Sequence, residues 1–100
     1  MVDVTDVSSV TPIIGRLTVV GLGLIGGSFA KGMRQSGLCT EVVGCDLDPV
    51  ARRQAVPLGV VDRVTADLSE AVAGADMIML AVPVLGMRAV LEQLAAMPSQ

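Results

Sequence analysis

The chain has 100 residues, 52% of them apolar, with one aromatic side chain, Phe29, and a formal net charge of −3. That is enough apolar material for one small domain cored by Val, Leu, Ile, Met and Ala, and it lacks the basic surface of a nucleic-acid binder. Histidine is absent and there are two cysteines, Cys39 and Cys45. This argues against the commonest general acid–base, a zinc site and a disulfide framework, so both thiols are expected to be free in a reducing, cytoplasmic compartment.

Residues 1–15 mix Asp, Ser, Thr and Val around Pro12 and read as a poorly ordered lead. Asp3 and Asp6, with no basic residue up to Thr11, are the reverse of a secretory leader. The chargeless stretches Leu17 to Ala30 and Met77 to Met87 are too short to span a membrane. Leu17 to Val20 is a β-rich run that predicts a first strand. It leads into Gly21-Leu22-Gly23-Leu24-Ile25-Gly26-Gly27-Ser28, and a helical pattern continues from Ile25 to Ser36. The apolar side of that helix is placed at Ile25, Phe29 and Met33, with Gly26 and Ala30 on a neighbouring stripe of small residues and Gly37 as the stop.

A second strand is predicted from Glu41 to Asp46. Asp48-Pro49 then supplies a cap and a first-turn proline for a second helix that ends before Pro57. Val60 to Thr65 reads as a weak third strand. Asp67 caps a short helix to Ala73, with Glu70 completing a capping-box pattern. Met77 to Val82 is apolar throughout, as a central parallel strand is, and Pro83 ends it before a last helix from Leu85 to Met97. Strands alternate with helices across connections too long for hairpins. The pattern predicts an α/β domain, a parallel sheet with helices on both faces, the first strand central and the order 3-2-1-4.

The glycines carry the chemistry. Gly21 lets the chain turn sharply off the strand, Gly23 lets the backbone approach a pyrophosphate, and Gly26 lets the helix lie close to the sheet. The turn from Gly21 through Leu22, Gly23, Leu24 and Ile25 to Gly26 is therefore the expected diphosphate cradle, its free helix amides and dipole drawing in the anion. Asp46 lies about 20 residues beyond Gly26, at the end of the next strand, where an acid grips an adenosine ribose diol. A carboxylate there repels a 2′-phosphate, which favours NAD over NADP, although Arg52 and Arg53 are cations within reach of one. This is the signature of a Rossmann-type, doubly wound dinucleotide-binding domain. Val82 and Pro83, at the end of the fourth strand, face the first strand across the switch point, where the nicotinamide half would run; Pro83 also reads as a plain strand terminator. Methyltransferases with a similar turn carry an acid just before it, whereas here Val19 and Val20 stand there.

The remaining candidates have plainer readings. Cys45 and the methionines Met77, Met79, Met87 and Met97 read as packing, Arg52 and Arg53 as a solvated helix face, and Asp62 as a loop or surface-pair residue. Ser28 is either a phosphate contact or a hydroxyl that satisfies the backbone. No catalytic residue and no metal ligand set is assigned.

Val19 to Ser28 resembles the opening of the prephenate/arogenate dehydrogenases of tyrosine biosynthesis. Val43-Gly44-Cys45-Asp46 resembles their Gly-aromatic-Asp strand end, with Cys45 in place of the aromatic. Leu58-Gly59-Val60-Val61-Asp62 is similar to their Gly-Val-Ile-Asp segment, and Ala75-Asp76 leading to Leu80-Ala81-Val82-Pro83 to their Ala-Asp…Ala-Val-Pro strand. The resemblance spans about residues 16–97. It implies an oxidoreductase in which NAD takes hydride from the ring carbon bearing the hydroxyl of prephenate, with decarboxylation to 4-hydroxyphenylpyruvate, or converts arogenate to tyrosine.

The resemblance also implies a homodimer formed through a helical domain after the nucleotide-binding one. A histidine and an arginine acting on the small-molecule substrate are implied to lie beyond the last helix seen here. On this reading residues 16–100 are a partial NAD(P)-binding domain. It is truncated, lacks the helical dimerisation domain, is inactive alone, and has neither nucleic-acid nor membrane partners. Two other readings stay open: a regulatory nucleotide-sensing module without catalysis, and a different NAD(P)-dependent dehydrogenase.

Overall fold

The computed structural model describes residues 12–82 and 84–97. In chain order they form β1 (Ile14–Val20), α1 (Leu24–Ser36), β2 (Cys39–Cys45), α2 (Pro49–Ala55), β3 (Arg63–Thr65), α3 (Leu68–Val72), β4 (Met77–Leu80) and α4 (Val84–Ala96). The four strands pair in parallel in the order β3-β2-β1-β4, as the alternation of elements predicts. Val20 pairs with both Cys45 and Leu80, and Cys45 with Thr65, so the carboxyl ends of all four strands finish on one rim.

Alternation along the strands divides the core in two. Leu17 and Val19 of β1 and Val42 of β2 meet Ala30, Ala55 and Val61 on the face covered by α1 and α2. Val20, Val43 and Cys45 meet Leu68, Ala71 and Val72 on the other face, where Val90, Leu94 and Met97 of α4 join them. Each fully buried Val or Leu contributes about 1.5–3 kcal/mol relative to exposure, and double-sided burial is why these strands are nearly all aliphatic. Among the described residues the one buried polar side chain, Thr18, donates its hydroxyl to the Ala71 carbonyl at 2.6 Å and so ties β1 to α3. The caps fall where the sequence places them. Asp48 accepts from Val50 N ahead of α2, Asp67 from Ser69 N and Glu70 N ahead of α3, and Gly37 closes α1 with φ 77°.

Several boundaries differ from the sequence expectation. β1 begins three residues early, because Ile14 and Arg16 find partners at Cys39 and Glu41 of a β2 that itself begins two residues early. The end of the expected lead is therefore strand, while residues 1–11 of it lie outside the described residues. β3 is three residues rather than Val60 to Thr65. Val60 N and Val61 N both donate to Ala55 O and close the end of α2 instead of joining the sheet. Asp62 then takes the next rung from both sides: its amide donates to Val42 O and its carboxylate accepts from Val42 N at 2.7 Å. It is also the surface-pair residue expected, bonded to Arg34.

β4 stops at Leu80, so Val82 lies just past the sheet, and Ala81 N makes the last bond to Val20 O. β4 is an edge strand, with Met77 and Ile78 45% and 39% exposed. Ile25 does not lie on the buried side of α1; it is 76% exposed. The first turn of that helix passes over the rim where the strands have ended, so only Gly26 and, one turn on, Ala30 press onto the sheet, with Phe29 and Met33 partly covered.

Candidate functional site

The carboxyl rim gathers the glycine turn, the end of β2 and the end of β4. Gly21 has φ +96°, and its amide donates to Cys45 O at 2.8 Å. A Cβ at this position would stand 2.6 Å from the Ala81 carbonyl oxygen. Both the backbone conformation and the close pass of the strand demand glycine. At Gly26 a Cβ would lie 1.9 Å from Gly21 O and 2.9 Å from the Ala81 methyl, so α1 can sit where it does only without a side chain there. Gly23 is the opposite case: a Cβ would meet nothing within 4 Å. The space in front of Gly23 is open, and α1 starts beside it with Gly23 as its N-cap, with no side-chain cap and no acid in the first turn. Among the described residues no acceptor takes the amides of Gly23, Leu24 or Ile25. Unpaired donors at a helix start carry partial positive charge and receive anions.

Asp46 follows β2 and is half-buried, with every polar atom engaged. Its amide donates to Thr65 O at 3.2 Å, and its carbonyl accepts from Arg52 Nη1 at 2.8 Å. One carboxylate oxygen accepts from Asp48 N at 2.9 Å and the other from Leu22 N at 2.7 Å. A carboxylate has about four acceptor positions, so about two remain for hydroxyl groups. The bond to Leu22 changes the expected part of that residue. Its amide is turned to Asp46 and away from the row facing the open space. Its side chain runs down into the core, where it would stand 2.7 Å from a Cβ at Gly44. The glycine within β2 was the sequence signal for that side chain.

A cavity of about 770 Å³ opens from Gly21 and Asp46 along the α3 and α4 face, walled by Leu47, Ala66, Leu68, Val82 and Met97. Its size and largely apolar walls suit a small organic ligand. Val82 reaches it beside Gly21; Pro83 lies outside the described residues. Cys45 sits at its base. Burial raises that thiol above its ordinary value, Asp46 and Asp67 push the same way, and Arg52 opposes them. Cys39 is raised by burial and then by Asp62. Both thiols are free, as the sequence suggests, and Cys45 is the packing residue expected of it.

Leu24 and Ile25 are 88% and 76% exposed, and Ser28 is exposed. Arg53 is exposed as expected, but Arg52 bends back onto Asp46, which no spacing in the sequence signals. The described residues contain no cluster of three or more His, Cys, Asp or Glu that could hold a metal, and none of their helices is long and apolar enough to cross a membrane.

Residues 29–99 match the family described as the nucleotide-binding domain of prephenate dehydrogenase. The chain is 36% identical over 74 residues to the cyclohexadienyl dehydrogenase of Zymomonas mobilis, a match covering 72% of this chain and 25% of that protein. Among solved structures, the prephenate dehydrogenase of Aquifex aeolicus in complex with hydroxyphenyl propionate and NAD+ is similar with a TM-score of 0.78 and 33% identity, covering 91% of this chain and 32% of that one. The arogenate dehydrogenase of Synechocystis is similar with a TM-score of 0.73 and 34% identity, covering 79% and 27%. The chain thus spans 25–32% of the length of these relatives. With the family matched over most of its residues and the same parallel sheet in its structural neighbours, the chain belongs to the prephenate dehydrogenase family, in which it is a nucleotide-binding domain.

Proposed function

We propose that this chain is the NAD-holding part of a dehydrogenase that acts on prephenate, arogenate or both. The observation that carries the reading is the open space at Gly23, faced by the uncapped start of α1 and flanked by the Asp46 carboxylate. In this reading the diphosphate lies against Gly21, Gly23 and the amides of Leu24 and Ile25, with Gly26 holding the helix close. Asp46 accepts the adenosine ribose diol, the cavity beside Leu47 takes the adenine, and the nicotinamide runs toward Val82 and Pro83. NAD supplies the hydride acceptor when bound; the residues of this chain bind and orient it. The negative charge of Asp46 beside the ribose favours NAD over NADP.

Residues that act on the substrate are assigned to the part of the enzyme beyond the quarter to third of the relatives' length spanned here. The homodimer is assigned there too, and the enzyme to the cytoplasm, without nucleic-acid or membrane partners. That its relatives are dehydrogenases favours this reading over a nucleotide-sensing module without chemistry.

Calorimetric titration with NAD and NADP tests it. The chain binds NAD in preference to NADP, and Asp46→Ala weakens NAD by about 10- to 100-fold, the loss expected of charge-assisted hydrogen bonds, while NADP changes less because relief of the negative charge offsets the loss of the Leu22 amide's acceptor. An unaltered NAD-to-NADP ratio in that variant removes Asp46 from coenzyme recognition.

A further inference from the structure

Arg16, Arg34, Arg63 and Arg88 all pair with carboxylates. Among the described residues Arg52 forms no such pair. It sends Nη1 to the main-chain carbonyl of Asp46 at 2.8 Å instead. The peptide between Asp46 and Leu47 has no other hydrogen-bond partner among the described residues. The Leu47 side chain, 83% exposed, does nothing to anchor it. On the amino side Asp46 is pinned by Thr65 O, and on the carboxyl side by Arg52 alone. The next amide along, Asp48 N, is the donor that holds one oxygen of the Asp46 carboxylate. Rotation of the Asp46–Leu47 peptide therefore displaces Asp48 N and leaves the carboxylate held only through Leu22 N, free to turn about that bond.

We propose that Arg52 is a positioning residue for coenzyme recognition: by fixing the Asp46 carbonyl it holds the Asp46 carboxylate in the posture that accepts the ribose hydroxyls. The proposal rests on the NAD reading above. Arg52 donates from the middle of α2, a helix whose start is fixed by the Asp48 cap and Pro49, so the restraint is anchored at both ends. It also leaves the carboxylate oxygens themselves untouched, which is what a site needs if those oxygens are to bond a ligand.

The test uses ADP and 2′-deoxyADP, which share the diphosphate and the base and differ in one ribose hydroxyl. Their dissociation constants are measured at fixed ionic strength for the parent chain, Arg52→Ala, Arg52→Lys and Asp46→Ala, with thermal unfolding as a check on folding. The parent prefers ADP by about tenfold, the value of one charge-assisted hydrogen bond. Asp46→Ala abolishes the preference and sets the floor. Arg52→Ala brings the preference close to that floor, whereas Arg52→Lys, which keeps a donor and the charge, retains most of it. A role limited to attracting anions or to folding weakens both nucleotides equally and leaves their ratio at the parent value; that result, or no effect at all, overturns the proposal. If the parent chain itself shows no preference, or binds neither nucleotide, the ribose role of Asp46 fails first and takes the proposal with it.

Discussion

Two glycines three positions apart should answer the same substitution in opposite ways. At Gly26 an alanine methyl would begin 1.9 Å from Gly21 O and 2.9 Å from the Ala81 Cβ. An ordinary carbon–oxygen contact is about 3.2 Å, so α1 and the turn must separate by roughly 1 Å, and the obstructing oxygen belongs to backbone that cannot rotate away. Overpacking of this kind costs about 1–3 kcal/mol and reaches its upper end against main chain, while alanine returns about 1 kcal/mol of helix propensity. The net loss of about 2 kcal/mol corresponds to a fall of about 8–16 °C in Tm for a domain of this size.

At Gly23 the added methyl meets nothing, and φ −68° with ψ −164° suits alanine. A small loss at the N-cap is offset by about 0.4–1 kcal/mol from a stiffer unfolded chain, so Tm should stay within about 4 °C. The methyl does occupy the space assigned to the diphosphate, and NAD affinity should drop by about tenfold or more. Thermal unfolding by circular dichroism, paired with NAD titration, reads both effects. Gly23→Ala binding NAD as tightly as the parent, or Gly26→Ala melting with it, refutes the reasoning.

Thr18→Val keeps shape and burial but leaves the Ala71 carbonyl without its donor. A loss of about 1–3 kcal/mol, seen as a lower urea midpoint at constant m, is expected, and an unchanged midpoint rejects that bond as a stabilising one. The thiols give a pH prediction. Burial raises Cys45 and Cys39 above the ordinary value of 9.0, so the folded chain holds these protons more tightly than the unfolded one. Their contribution is complete below pH 9.0 and is lost as pH rises through the folded-state values. Histidine and tyrosine are absent and Lys31 is the one lysine, so little else titrates nearby. Urea midpoints should decline above pH 9.0, less steeply in Cys45→Ala; equal slopes remove Cys45 as a cause.

The parts of this fold written in local chemistry were legible in advance. Asp48-Pro49, Asp67 with Glu70, and Gly37 mark helix ends by what their own atoms do within a few residues. The apolar runs at Leu17 to Val20 and Met77 to Leu80 announce strands, although only the first is buried on both sides and the second lies at the sheet edge, and those runs plus the alternation of elements are enough for the sheet order. What stayed hidden depends on partners far along the chain. Val60 and Val61 have strand-forming side chains, but the Ala55 carbonyl takes both their amides. Ile25 keeps helical spacing with Phe29, yet the sheet has ended beneath it. In the candidate site Gly21 and Gly26 could be read from spacing, because each answers a backbone requirement. The turn of Leu22 N toward Asp46, and of Arg52 onto its carbonyl, could not: both bonds cross between elements whose placement is set by the whole sheet.

The bond from Leu22 to Asp46 constrains how such a domain can drift toward a phosphorylated coenzyme. The usual first step discards the acid. Here discarding it would also strand the Leu22 amide and slacken the loop assigned to the diphosphate, so the gain from charge tolerance would be offset by a weaker hold. Replacement by asparagine or serine, which remove the charge but keep an oxygen for that amide, is the passable route, and a lineage that jumped straight to glycine or alanine would need a new acceptor from elsewhere before it could bind well again.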